Sequence, residues 1–175
     1  MRTHARPRGF TLLDLMASIM VLGVLLGLAV PSFTEAIRNN RLIAETNEVV
    51  GGVNYARSEA LKRASTVSIC ARSTDTACGA SATTDWSLGW LIFVDVNSNG
   101  VRNTGDTIIQ SHPAIAAEFQ LTSTNRGYVR FMPTGVTGDG AETFNLHRTG
   151  CTGNKAKRLS LALVGRLRNE TVACP

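Results

Sequence analysis

Three stretches of different hydrophobic rhythm follow one another along the 175-residue chain. Between residues 10 and 34 the only charged side chain is Asp14, and from Leu15 to Val30 the run LMASIMVLGVLLGLAV is uncharged. About 20 apolar residues in a helix cross a bilayer core of roughly 30 Å, so this stretch predicts a membrane-length helix. From residue 35 to residue 64 there is no proline. Ile43, Val49, Val50, Val53, Ala56, Ala60, Leu61 and Ala64 recur at spacings near three and four, which predicts one apolar helix face. Gly51 and Gly52 interrupt that face; each weakens a helix by roughly 1 kcal/mol relative to Ala and they mark a place where it can bend. Beyond residue 65 the rhythm shortens. Apolar, β-branched and aromatic runs at 67–70, 86–95, 107–111, 119–122, 128–132, 144–148 and 157–168 are separated by Gly, Asn, Asp and Pro turns. No strand alternates with a helix of 10–15 residues, which argues against a parallel α/β sheet. The expected fold is α+β: one long N-terminal helix whose second half packs on a head of two small antiparallel sheets.

Charge changes this picture by its placement. The chain carries 18 Lys+Arg against 13 Asp+Glu, a net +5. Residues 1–9 hold Arg2, Arg6 and Arg8 and no acid, for +3; residues 10–120 sum to −3; residues 121–175 sum to +5. A basic head before an apolar run orients that end toward the cytoplasm and sends the rest across. A secretory signal has the same layout but ends in a small-x-small cleavage site, and Ala29-Val30-Pro31 is a poor one. Asp14 is expensive inside an apolar run, by roughly 2.5–3.5 kcal/mol on insertion scales. It calls for a partner, and none stands near it in the sequence; otherwise it sits at the interface and snorkels.

Gly9-Phe10-Thr11-Leu12-Leu13-Asp14-Leu15-Met16 resembles the class III signal of type IV pilins and type II secretion pseudopilins. In that family a prepilin peptidase cuts after the Gly and methylates the new N-terminal Phe, so the resemblance implies cleavage at Gly9 and a mature chain from Phe10. Pro31 falls where many pilins carry a helix-kinking proline. The resemblance also gives Asp14 a role in subunit assembly, pairing with the N-terminal ammonium of a neighbouring subunit. The family usually has Glu there, and Asp14 is one methylene shorter. The implied organisation is a leader (1–9), a transmembrane and filament-core helix (10–34), its amphipathic continuation (35–64) and a periplasmic head (65–175). The implied partners are other pilin subunits, the prepilin peptidase and the inner membrane, with no cofactor.

The cysteines fit an oxidising compartment. Cys70, Cys78, Cys151 and Cys174 allow three pairings. Locality favours Cys70–Cys78 and Cys151–Cys174. Zinc is the alternative, but there is no CxxC, and His4, His112 and His147 are not spaced with the cysteines. Asp95, Asn97, Asn99 and Gly100, with Asp106 at the twelfth position, match much of a calcium-loop pattern. Two of those ligands are neutral and Asp106 reaches less far than the usual Glu, so a β-hairpin with positive φ at Asn99-Gly100 is the favoured reading. Together with the strand Gly89-Trp90-Leu91-Ile92-Phe93-Val94-Asp95, this turn resembles the GspH/FimT branch of the pilin family.

The basic C-terminus carries the functional expectation. Lys155, Lys157 and Arg158 enter a strand, and Gly165-Arg166-Leu167-Arg168 leaves it. Strand alternation puts Arg166 and Arg168 on one face and Leu167 on the other. Two guanidinium groups on one face suit phosphate oxygens, and Gly165 leaves room for a ligand to approach. The element resembles the G-R-x-R of FimT-type minor pilins, which bind DNA in natural transformation. The resemblance thus implies non-specific binding of double-stranded DNA. Two other readings stay open: a GspH-like pseudopilin of type II secretion, and a structural minor pilin whose basic strand is a solvated face that deters edge pairing. No G-x-S-x-G, GxxxxGK[ST] or GxGxxG occurs, and an enzyme is not expected.

Overall fold

The computed structural model describes residues 11–175, the side chains of 28–32 excepted. The helix α1 runs Leu12–Arg63 and includes Pro31. The chain divides into two units at Asn40 and Arg41, to both of which α1 contributes, and each is described by itself.

In the first unit the start of α1 is set by a reciprocal cap. Thr11 donates from N and Oγ1 to Asp14 Oδ2 at 3.1 and 2.7 Å, and Asp14 N donates to Thr11 Oγ1 at 3.2 Å. This is a capping box with Asp in place of Glu, and it satisfies backbone N–H groups that the first helical turn leaves open. It corrects the expectation that Asp14 has no partner nearby in sequence: the partner is three residues upstream. Leu12, Leu13, Leu15, Met16, Ile19, Met20, Val21, Leu22, Val24, Leu25, Leu26 and Phe33 are all exposed. Among the described residues no helix is long and apolar enough to cross a membrane. Gly9 and Phe10 lie outside the described residues.

The second unit holds the core. Leu42, Thr46, Val49, Val53, Ala56 and Ala60 of α1 are buried, at the three-four spacing of one helix face. The buried seam runs one position round from the expected one: Leu42 replaces Ile43, while Leu61 and Ala64 are exposed. Glu59, a charged residue beside Ala60 of that face, is buried and held by Arg63 Nε at 2.6 Å and Lys62 Nζ at 3.6 Å. Arg63 beside it keeps the Glu59 carboxyl below its ordinary value. The helix continues through Gly51 and Gly52. A Cβ at Gly52 would come within 2.6 Å of Trp90 Nε1, so the missing side chain lets the helix lie close on the sheet. Ala64 then takes φ 48° and ends the helix.

Two antiparallel sheets follow. The first contains β1 (Val67–Thr74), β2 (Ala77–Cys78), β3 (Trp90–Val94), β4 (Thr107–His112) and β6 (Tyr128–Phe131), in the order β2-β1-β3-β4 with β6 on β1. The second contains β5 (Phe119–Ser123), β7 (Glu142–Arg148), β8 (Ala156–Leu161) and β9 (Leu167–Val172), in that order. The α+β fold with two small sheets is as expected from the hydrophobic rhythm. The expected strand 157–168 is instead two strands and a turn, because Gly165 takes φ 75° and reverses the chain. The two-residue β2 was not foreseen.

The core joins α1 to both sheets: Ile69, Trp86, Ile92, Leu121, Phe131, Phe144, Leu146, Leu159 and Leu161 are all nearly inaccessible. Burying each such side chain contributes roughly 1.5–3 kcal/mol. Trp86 meets Phe144 edge-on at 5.0 Å and donates from Nε1 to Ser123 Oγ at 3.0 Å. Disulfides join Cys70 to Cys78 and Cys151 to Cys174. The first ties β2 to β1, and the second ties the residues flanking β8 and β9.

Candidate nucleic-acid interface

Eight bases lie beyond residue 120, but two are neutralised where they stand. Arg130 is clamped by Asp139, with Nε 2.9 and 3.0 Å from its two oxygens. Arg126 Nε lies 3.4 Å from the buried Glu142. The other bases beyond residue 120 are Arg148, Lys155, Lys157, Arg158, Arg166 and Arg168, with Glu170 as the other acid, and Lys155 has an interaction of its own. The basic excess is therefore carried by residues 148–168, most of it on the β8–β9 hairpin.

Pairing register decides which of these face one another. Leu159 and Leu161 are buried, so Arg158 and Ser160 point to the opposite, outer face of the second sheet. Ser160 stands opposite Thr143 of β7 and Arg168 of β9, and Arg158 stands opposite Asn145 and Glu170. Thr143, Ser160 and Arg168 thus form one transverse row, and Asn145, Arg158 and Glu170 the next. Arg166 precedes β9 with the same parity as Arg168. Thr143, Ser160, Arg166 and Arg168 together line an open groove of about 610 Å³. Leu167 turns the other way and packs on the core.

The groove presents two guanidinium groups and two hydroxyls, all donors suited to phosphate or carboxylate oxygens. Arg168 Nε holds Glu170 Oε1 at 2.8 Å, an exposed pair that solvent weakens. Among the described residues the side chains of Arg158 and Arg166 have no ion pair or hydrogen bond. Lys157 is not part of this face: it projects with Leu159 and Leu161 and donates from Nζ to Thr171 Oγ1 at 2.8 Å. Lys155 lies before β8, at the opposite end of the hairpin from Arg166. The basic residues therefore do not form a single patch.

Gly165 corrects a second expectation. The space over it is filled from within the molecule. A Cβ there would stand 2.4 Å from the Gly135 carbonyl oxygen and 2.7 Å from Arg57 Nε. Arg57, on α1, donates from Nε to Gly135 O at 2.9 Å and from Nη2 to Val164 O at 3.1 Å. Gly165 serves a latch between helix and hairpin turn, and leaves no opening for a ligand.

The Asp95 loop closes on itself. Asp95 Oδ2 accepts from Ser68 Oγ at 2.7 Å and Gly100 N at 2.8 Å, and Oδ1 from Asn99 N at 3.1 Å. Asp106 accepts from Val96 N at 3.0 Å and Asn103 N at 2.6 Å. Asn99 Oδ1 accepts from Val101 N at 2.8 Å, while Asn97 is exposed. Both carboxylates hold backbone amides, an arrangement that needs no cation. Among the described residues no three His, Cys, Asp or Glu are grouped to hold a metal. Positive φ falls at Ser98 and Gly100, not at Asn99, and Gly100 lies against the Tyr128 ring.

Sequence reasoning missed Thr143, Ser160 and Arg57. The alternation in 156–161 puts Ser160 beside Arg158, but Thr143 joins them only through cross-strand register. Arg57 reads as one more polar residue on an amphipathic helix.

Comparison with known proteins agrees with this architecture. The pilin-like protein PilA1 of Thermus thermophilus is 34% identical over 107 residues, which is 60% of this chain and 59% of that protein. The chain thus spans about three fifths of the curated relative it matches. The type IV minor pilin FimU of Pseudomonas aeruginosa, in one crystal form, shares the fold at a TM-score of 0.59 and 23% identity, over 75% of this chain and 89% of that one. A second crystal form gives 0.54 and 21%, over 71% and 88%. The family described as type II transport protein GspH matches residues 45–165, and the chain belongs to it.

Proposed function

We propose that the chain is a minor pilin that joins a type IV pilus and holds double-stranded DNA on the outer face of its second sheet. The observation that carries this reading is the groove where Arg166 and Arg168 stand together with the Thr143 and Ser160 hydroxyls. Arg158 adds a third cation on the same face. Phosphate is the target, so binding is independent of sequence and weakens steeply with salt. Among the described residues, the outward positions of the sheet (Gln120, Thr122, Thr143, Asn145, His147, Arg158, Ser160, Arg168 and Glu170) include no Phe, Tyr or Trp, and His147 is half-buried. Without a stacking platform for bases, the backbone of a duplex is the better match. The test is a salt titration of DNA binding by the full chain in detergent. Replacing Arg166→Gln with Arg168→Gln should lower affinity and flatten the salt slope by about two charges. Unchanged affinity and slope would overturn the reading.

The anchoring and processing belong to the same proposal. Residues 10–34 are the inner-membrane anchor and filament core, residues 1–9 the leader and 65–175 the periplasmic head. Asp14, beyond its capping role, meets the amine of a neighbouring Phe10. The Gly9-Phe10 junction motivates this, and intact mass should show loss of residues 1–9 and one methyl group. Cleavage near Ala29 instead would remove it. The family description favours a second reading, a pseudopilin of a type II secretion system. Lost secretion with intact transformation in a deletion strain would select it.

A further inference from the structure

The second half of α1 and the edge of the first sheet border an open pocket that shares no residue with the basic hairpin. Glu48, Gly51, Gly52 and Tyr55 stand at i, i+3, i+4 and i+7, one stripe of the helix. Opposite them, β4 is the last strand of its sheet. Its register sets Gln110 against Ile92 and His112 against Trp90, so both share the face that Ile92 and Trp90 turn into the core. The space has a volume of about 460 Å³, within the roughly 300–1,000 Å³ of small-molecule sites. A Cβ on Gly51 would meet nothing within 4 Å, so the helix is notched there, between Glu48 and Tyr55. Trp90 forms the floor. The His112 ring stacks on it at 3.9 Å and 5°. Trp90 Nε1, buried against Gly52, has no hydrogen-bond partner among the described residues.

The lining decides what can enter. Among the described residues no Lys or Arg lines the pocket, and Glu48 does, which rejects an anion. An apolar ligand would strip water from Glu48, Gln110 and His112 and return no hydrogen bond. Trp90 offers a cation no free face, because His112 lies on the ring and the residue is only 2% exposed. His112 Nδ1 lies 2.8 Å from the Pro113 carbonyl oxygen, which can only accept. Nδ1 therefore carries a proton, and Nε2 of the neutral ring is an acceptor, 3.6 Å from Glu48 Oε2. Two neighbouring acceptors call for a donor between them. The Gln110 amide and the Tyr55 hydroxyl both donate and accept. From this set we propose that the pocket binds a neutral saccharide. Sugar hydroxyls donate to Glu48 and His112 Nε2 and accept from Gln110 and Tyr55. The C–H face of a pyranose lies on the Tyr55 ring, which is exposed.

The experiment titrates the full chain, in a polyoxyethylene detergent that carries neither sugar nor cation, with maltose and with N,N′-diacetylchitobiose. The chain has two tryptophans, so its proton–nitrogen spectrum has two indole N–H resonances. Trp86 is the internal control, since its Nε1 is bonded to Ser123 Oγ within the core. One or both sugars should move the Trp90 resonance saturably and leave that of Trp86 in place. Glu48→Gln replaces a charged acceptor and should weaken binding about tenfold. Gly51→Leu fills the notch and should abolish it. Nothing stands where the new Cβ goes, and Leu favours a helix more than Gly, so the melting midpoint should not fall. Glucuronate, repelled by Glu48, and tetramethylammonium should leave Trp90 unmoved. The inference is overturned if neither sugar moves Trp90, if Trp86 moves equally, or if Gly51→Leu binds as the wild type does. It is equally overturned if glucuronate or tetramethylammonium matches the sugars. Nucleic acid is absent throughout, so failure here leaves the DNA reading standing, and the reverse holds.

Discussion

The Asp95 loop and the β8–β9 hairpin are both polar connections on the same head, and they treat their charges in opposite ways. In the loop, Asp95 is almost wholly buried and both its oxygens accept hydrogen bonds from the loop or from β1. In the hairpin, Arg158 and Arg166 are exposed and their side chains have no partner among the described residues. The loop resembles a ligand site in its residue types and is a structural knot in its bonding. The hairpin has fewer recognisable residues, yet it keeps charged groups available to an outside ligand. Internal satisfaction, more than residue type, separates the two.

Three expected outcomes press on this comparison. The largest is Asp95→Ala, which strands the donors of Ser68, Asn99 and Gly100. At roughly 1–3 kcal/mol per unsatisfied buried group, the loss should be about 4 kcal/mol in denaturant melts. A loss below 1 kcal/mol would show that the loop does not depend on its carboxylate, and millimolar calcium rescuing the wild-type midpoint would make it a ligand site after all. Next is Gly165→Ala, with a Cβ forced against the Gly135 carbonyl at positive φ. About 2 kcal/mol should be lost, whereas Arg166→Gln with Arg168→Gln should stay within about 0.5 kcal/mol. The reverse order would place the latch in the wrong residue. Smallest is Glu59, a buried acid whose carboxyl Arg63 holds below the ordinary 4.5. Its folded value is depressed, so its stabilisation is full above that ordinary value and disappears as pH falls through the folded one. The gap in midpoint between wild type and Glu59→Gln at pH 7 should narrow as pH falls below the ordinary 4.5; a gap that does not change with pH would mean that packing, not charge, is what Glu59 supplies.

Much of the fold was legible because its signals are local. The period of 3.6 in residues 35–64, the β-branched runs, and cysteines close together in sequence all concern near neighbours. The buried seam of α1 was misread by one position because Thr46, a polar residue, occupies it and bonds its hydroxyl to Leu42 O at 2.6 Å. The strand 157–168 was read as continuous since Ala162, Leu163 and Val164 look like strand residues; they form the turn, where Leu163 and Val164 are more than half exposed. The candidate site was legible in Arg158, Arg166 and Arg168 but not in the separation of Lys157 from them, which one step of alternation decides. Thr143 and the Arg57 latch are long-range, set by register and by the approach of a helix to a turn.

The Cys151–Cys174 disulfide has a mechanical meaning. It joins the residues outside the two ends of the β8–β9 hairpin, while Arg57 grips the turn at the other end. A ligand held at Arg166 and Arg168 and dragged away would load β9. A free terminal strand would peel from β8 one bond at a time. Closed into a covalent ring, β9 passes the pull to β8 and β7 through the whole ladder at once, so the hairpin resists as a shear joint instead of a zipper.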